Sequence, residues 1–177
     1  MTDNARDYIE KVKRPVCAGY LIGLFAEVYL RCENVLAGAA LFGLGLLTIC
    51  TFNLNLFTGT VGENSIKRSL PFLWYNAIGA GIAVVVLRVF PDALAFGIAC
   101  GSLVQIGVSL YPKHPWATVL CVAAFLLGGF RHCIVLIYYS YQYTFLKWLF
   151  IFVLTVIGNI IGAKIVAFCG VRKNNKE

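Results

Sequence analysis

The sequence predicts an all-α integral membrane protein whose six transmembrane helices form a 3+3 inverted repeat, with helices 2 and 5 interrupted. Composition is the first observation behind this. Of 177 residues, 60% are hydrophobic and 13% charged, and the mean hydropathy is +0.81. Soluble domains run near half apolar and a quarter charged. The second is the length and texture of the apolar runs. They reach roughly twenty residues without alternation, which fits helical crossings and not barrel strands, and lipid admits only those two solutions. The third is a pair of interruptions, at Leu56-Phe57-Thr58-Gly59-Thr60-Val61-Gly62 and at Gly128-Gly129-Phe130-Arg131-His132-Cys133. Paired breaks in two halves of a membrane protein point to a binding site near the bilayer midplane.

The spans are expected over residues 15–31, 35–57, 70–90, 93–111, 115–139 and 145–169, joined by short connections. Residues 1–14 form a polar cytoplasmic segment with no signal peptide expected, 15–170 the channel domain, and 171–177 a cytoplasmic tail. Basic residues set the orientation. With the N-terminus inside, Arg6, Lys11, Lys13, Arg14, Lys67, Arg68, Lys113, Arg172, Lys173 and Lys176 lie in the cytoplasm, and Arg31, Arg88 and Lys147 lie outside. Both termini are therefore expected inside, in a multi-pass cell (inner) membrane. The formal charge of +7 is accounted for by these topology determinants and calls for no nucleic-acid partner.

The halves echo each other. Helix 3 carries Asn76-Ala77-Ile78-Gly79-Ala80-Gly81-Ile82, and helix 6 carries Asn159-Ile160-Ile161-Gly162-Ala163-Lys164-Ile165. At the same offset, Cys17-Ala18 of helix 1 pairs with Cys100-Gly101 of helix 4. An odd number of spans per half forces the second half to insert upside down, which makes the repeat inverted. Small residues at helical spacing, such as Gly38, Gly45, Gly158 and Gly162, suit close helix packing in lipid.

Polar groups inside the spans carry the chemistry, because each is expensive there. His132 and Thr58 stand at the breaks. Glu27 lies within the first span, with an aqueous vestibule, snorkelling and helix pairing all open as its role. The seven cysteines are scattered, show no metal-ligand spacing and read as small apolar packers, so neither metal nor other cofactor is expected. His114, between Lys113 and Pro115, reads as a solvated loop residue.

These residues resemble the formate/nitrite transporter family, which also includes hydrosulfide and lactate channels. Leu56-Phe57-Thr58-Gly59-Thr60-Val61 is similar to its helix-2 pattern L-F-T-[GS]-x-V, and Phe125 to His132 to its helix-5 pattern F-x-x-x-G-F-E-H. Gly97 to Ile106 follows its helix-4 pattern G-I-L-C-N-x-L-V-C-L. Thr155 to Gly162 follows its helix-6 T-[IL]-G-N-[IV]-[IV]-G with one residue inserted. The resemblance covers nearly all of the chain. It implies an aquaporin-like protomer, a homopentamer in the lipid bilayer, and a pore through each protomer. It also implies residue roles: Phe42, Leu46 and Phe125 at apolar constrictions, Thr58 in a mobile loop, His132 as the central histidine and Asn159 near it. The chain departs from the family pattern around that centre. Arg131 replaces a glutamate, Gly101 and Leu136 replace asparagines, and the trimmed linker between helices 3 and 4 lacks the family's lysine, leaving Arg88 as the nearest cation.

An apolar passage opposes a small anion by stripping its hydration. An imidazole has an unperturbed pKa of about 6.5 and exchanges a proton near neutral pH. The expected function is therefore a channel or transporter for a small monovalent anion of a weak acid such as formate, nitrite or hydrosulfide. In it, His132 supplies a proton or hydrogen bond and Thr58 a hydroxyl. Broken helices add freed N–H groups and end dipoles that favour an anion. The alternative in transport is a pore for a neutral solute such as urea or ammonia. Outside transport, a membrane enzyme and a pore-less assembly protein are the other readings. No HExxH, no GxSxG and no paired intramembrane carboxylates are present, so no enzyme is expected.

Overall fold

A computed structural model describes residues 8–170; the charged segments at 1–7 and 171–177, including Arg6, Arg172, Lys173 and Lys176, lie outside the described residues. Among the described residues there are eight α-helices and no strand. They are α1 (Arg14–Arg31), α2 (Val35–Thr51), α3 (Phe57–Glu63), α4 (Ile66–Arg88), α5 (Asp92–Leu110), α6 (Pro115–Leu127), α7 (Cys133–Tyr138) and α8 (Phe145–Cys169). A π-helical turn, Ile9–Lys13, precedes α1, and a 3-10 turn, Tyr139–Gln142, follows α7.

Local chemistry sets several boundaries. Proline stands in the first turn of α1 (Pro15) and of α6 (Pro115), where its missing N–H would have no helical partner anyway. Asn34 caps α2, its Oδ1 accepting the Ala37 N–H at 3.0 Å. Three helices, α4, α5 and α8, are long and apolar enough to cross a membrane. Of the others, α1 carries Arg14, Glu27 and Arg31, and α2 and α6 are shorter apolar helices. At ~1.5 Å per residue, the 17-residue α2 reaches about 26 Å, short of a hydrocarbon core of about 30 Å.

Packing is organised by two tight helix pairs: α1 lies against α4, and α5 against α8. In both, glycine lets backbones touch. A Cβ at Gly79 would collide with the Val16 carbonyl of α1, and one at Gly162 with the Ile98 carbonyl of α5. Reciprocally, a Cβ at Gly19 would strike the Asn76 carbonyl, and one at Gly101 the Asn159 carbonyl. Gly19 thus corresponds to Gly101, so the sequence pairing of Cys17-Ala18 with Cys100-Gly101 is slipped by one residue. Tyr20 and Ser102, the next positions in the corrected register, meet each other: their hydroxyls are 3.1 Å apart, both buried, and tie α1 to α5. Buried Leu21, Leu24, Phe25, Ile98, Leu103 and Ile106 form the core around this contact. By contrast, the outer faces of α4 and α8 are apolar and exposed, including Trp74, Ile78, Phe150 and Ile160.

The helix-2 interruption falls at 52–56, earlier than the sequence reading placed it, and residues 57–63 are helical. Asn53 is the reason. It adopts a left-handed backbone (φ 52°), and Gly129 does the same in the second break (φ 67°). Each sits just past the end of a helix in the same hydrogen-bonded cap. The Asn53 N–H reaches the Cys50 carbonyl and the Leu54 N–H the Ile49 carbonyl, at 3.1 and 3.0 Å. In the second break, the Gly129 N–H reaches Leu126 and the Phe130 N–H reaches Phe125, at 3.1 and 2.9 Å. This is a Schellman termination, with Leu54 and Phe130 as its buried hydrophobic partners. Position for position, Leu56 corresponds to His132, and both are the N-caps of the short helices that follow. Thr58 corresponds to Ile134.

Candidate functional site

Each break is held by one asparagine from the neighbouring half-buried or buried helix face. Asn159 of α8 accepts the Cys133 N–H on Oδ1 at 3.0 Å and donates Nδ2 to the carbonyls of Arg131 (3.0 Å) and Gly97 (2.9 Å). Asn76 of α4 does the same for the first break. Its Oδ1 accepts the Phe57 N–H at 2.8 Å, and Nδ2 donates to Asn55 (3.0 Å) and Pro15 (2.7 Å). An interrupted helix leaves N–H and C=O groups without partners, and apolar surroundings offer them none. The asparagine amide supplies one acceptor and two donors, matching those orphans group for group. Asn159 therefore acts through the backbone either side of His132. Asn76, which the sequence reading did not single out as a site residue, is its counterpart. The signal was present, since both asparagines open the matched N-x-I-G-A-x-I segments.

His132 is partly exposed and lies on extended backbone between the Schellman cap and α7. Its Nδ1 accepts the Ile134 N–H at 3.3 Å. Nδ1 is thereby the unprotonated nitrogen of the neutral ring, and Nε2–H is left as a directed donor. The imidazole stacks on Phe125, with ring centroids 6.0 Å apart. Phe125, Arg131 and His132 line one cavity of about 220 Å³ with Tyr139, Gln142 and Tyr143. The structure therefore brings three of the expected site residues into one cavity and places Asn159 directly behind them.

The other expected residues lie on the first half. Phe42 is half-buried against the core and Leu46 is 50% exposed, both on α2. Thr58 is exposed in the first turn of α3, whereas the hydroxyl of Thr60 returns to the Phe57 carbonyl at 2.9 Å. None of these three lines the His132 cavity. Position 101, where the resemblance leads one to expect an asparagine, admits no side chain, because α8 backbone fills the space. Leu136 is buried, and its carbonyl accepts the Trp148 indole N–H at 3.2 Å.

Of the roles open to Glu27, the structure shows helix pairing. It is 5% exposed and holds two arginines, Arg31 Nε on Oε1 at 2.5 Å and Arg88 Nη2 on Oε2 at 2.8 Å. Arg31 also lies over the Phe96 ring at 4.4 Å, and Arg131 approaches the same ring at 5.6 Å. Phe96 in turn contacts Phe130. Arg31 stands at i,i+4 from Glu27 on the same helix, whereas Arg88 arrives from the far end of α4. Glu27→Gln should lower stability by about 1–3 kcal/mol, because it leaves two guanidiniums without their carboxylate while both keep partial access to solvent. Thermal unfolding in detergent at low salt checks this, and high salt should shrink the difference.

No family model, no curated protein and no solved structure matches this chain.

Proposed function

We propose that the chain is a membrane channel or transporter for a small monovalent anion of a weak acid, as the resemblance to the formate/nitrite transporters implies. The observation that carries it is the construction of the second break. The backbone either side of His132 is braced by the Asn159 amide, and the result is an imidazole whose Nε2–H is free to donate into a cavity. A buried polar brace of this kind is costly in lipid and is retained where irregular backbone lines a passage. The two similarly built breaks support reading the fold as six spans in a 3+3 inverted, aquaporin-like repeat. In that arrangement α2 with α3, and α6 with α7, each make one interrupted crossing.

In this reading an anion sheds water at the apolar residues Phe42, Leu46 and Phe125, meets the Nε2–H of His132, and crosses as its hydrogen-bonded or protonated form. Thr58 offers a hydroxyl on the other half. Arg31 and Arg131 at the Phe96 ring, with Arg31 and Arg88 paired to Glu27, give a net positive approach, and such a field raises the local anion concentration. The exposed apolar faces of α4 and α8 suit lipid and neighbouring protomers of a homopentamer. The distribution of basic residues supports a cell-membrane protein with both termini on the cytoplasmic side.

The test is flux in proteoliposomes across formate, nitrite, hydrosulfide, lactate and fluoride at two pH values. Wild-type protein is expected to couple anion entry to proton uptake; a pore for urea or ammonia shows no such coupling. His132→Asn is the informative variant, since asparagine is a good N-cap and leaves α7 intact while removing the imidazole proton. Anion flux should fall about ten- to a hundredfold, the equivalent of one charge-assisted hydrogen bond, and lose its pH dependence. Unchanged flux and an unchanged pH profile would refute the role of His132.

A further inference from the structure

The outer face of α8 is an apolar stripe with a single charge in it. Phe150, Val153, Ile157, Ile160, Lys164 and Phe168 follow one another at three- and four-residue spacing, and most of this row is well exposed. Lys164 is the only charged residue between Trp148 and Cys169. An ammonium in such a stripe is expensive unless it reaches an anion or water. It stands five residues before the end of α8, about 7.5 Å along the helix axis, within the range over which lysines snorkel to an interface. A second cation arrives at that end from the start of the chain. Lys13, the residue before α1, holds its Nζ 4.4 Å from the centre of the Phe168 ring, one turn beyond Lys164. Among the described residues neither lysine is paired with a carboxylate.

We propose that the corner between the start of α1 and the end of α8 is a binding site for an anionic glycerophospholipid, whose phosphate meets Lys13 and Lys164 and whose acyl chain lies along the α8 stripe. Two cations at one end of a long apolar strip match a molecule with one anionic head and a hydrocarbon tail. A soluble anion gains nothing from the strip. The Phe168 ring already holds Lys13 in place, so less ordering remains to be done on binding. Basic residues at a helix end attract anionic lipids in a diffuse way. Lys164 adds a specific position, because it lies within the span and meets only a headgroup whose lipid sits against this helix. A second copy of the chain fits the same face poorly. It would have to receive Lys164, and neither α4 nor α8, the helices with exposed apolar faces, contains an acid to pair with it. The site requires that α8 crosses the membrane, for which it is long and apolar enough. In the orientation proposed above, the leaflet is the cytoplasmic one.

The experiment is native mass spectrometry of the full-length protein in detergent, titrated with phosphatidylglycerol or with phosphatidylcholine of the same acyl chains. It reads retained lipid and oligomer mass together. Each lysine near a lipid surface contributes about fivefold in affinity, so the wild-type protein should prefer phosphatidylglycerol by about twenty-five-fold. Lys164→Leu and Lys13→Gln should each lower that ratio about fivefold, and Lys164→Arg should keep it. Leucine at 164 continues the apolar stripe, so this variant is expected to fold. Lys67→Gln removes a cation from the start of α4, on the same side of the membrane in that orientation, and should leave the ratio unchanged. Equal retention of the two lipids by wild-type protein, or an undiminished preference in Lys164→Leu, overturns the proposal. An equal loss in Lys67→Gln would show a diffuse field and no site, and also overturns it. Displacement of the lipid by the same concentration of glycerol phosphate would assign the lysines to a soluble phosphate. A changed oligomer mass in Lys164→Leu with an unchanged lipid ratio would assign the face to a second copy. No flux is measured, so the outcome is independent of the anion-channel reading.

Discussion

Asn159→Ala is expected to unfold or severely destabilise the second half of the molecule. The substitution removes the partners of three backbone groups at once: the Cys133 N–H and the carbonyls of Arg131 and Gly97. Hydrogen bonds between membrane helices average about 0.6 kcal/mol with a maximum near 1.7 kcal/mol, so three together amount to about 2–5 kcal/mol. Thermal unfolding in a mild detergent should show a lowered transition, and anion flux should fall more than the folded fraction does, because His132 loses the backbone that aims it. Asn76→Ala removes the same number of bonds from the first break. It should cost similar stability but leave the His132 cavity in place. Asn159→Asp retains the acceptor for Cys133 and loses both donors, so it should fall between wild type and Asn159→Ala. A wild-type transition for Asn159→Ala would show that the break is not held by this amide.

That pair of asparagines was legible in the sequence, because a polar amide in an apolar helix is conspicuous and both copies open the same short motif. What they do was not legible. Their targets are backbone groups tens of residues away, and no pattern in the chain marks a carbonyl as orphaned. The two breaks were unequally visible for a related reason. Gly128-Gly129 announces a left-handed cap, whereas Asn53 adopts the same backbone without announcing it. The Gly-rich Thr58-Gly59-Thr60 stretch drew the first interruption too far along the chain, into what is α3. Length alone shows neither break; the Gly-containing interruptions led to the expectation that two of the runs are broken, and in both the helix stops and restarts. At Glu27, Arg31 stands at i,i+4 on the same helix, while Arg88 required the fold to bring α4 beside α1.

Gly162→Ala carries the second large effect, and it should be felt through α5. A methyl group at this position would collide with the Ile98 carbonyl and crowd the Ser102 N–H. Neither can give way cheaply, since both belong to the backbone of a helix whose residues 97–103 are all buried. Overpacking a core with one methylene commonly costs 1–3 kcal/mol, and a backbone obstruction puts this case at about 3 kcal/mol or beyond. Moving α8 away to relieve it would also lengthen the Asn159 hydrogen bonds one turn earlier on the same helix, so the His132 break should loosen with it. Gly81→Ala is the matched control. It too lies within a long apolar helix, but nothing stands within 4 Å of its added methyl. Removing a mid-helix glycine there should be neutral or stabilising by up to about 1 kcal/mol. Thermal unfolding of the two variants side by side separates helix propensity from helix contact: Gly162→Ala should melt well below wild type and Gly81→Ala at or above it. Equal behaviour of the two would mean that α5 and α8 are not in backbone contact, and that the second break is positioned by something other than their close approach.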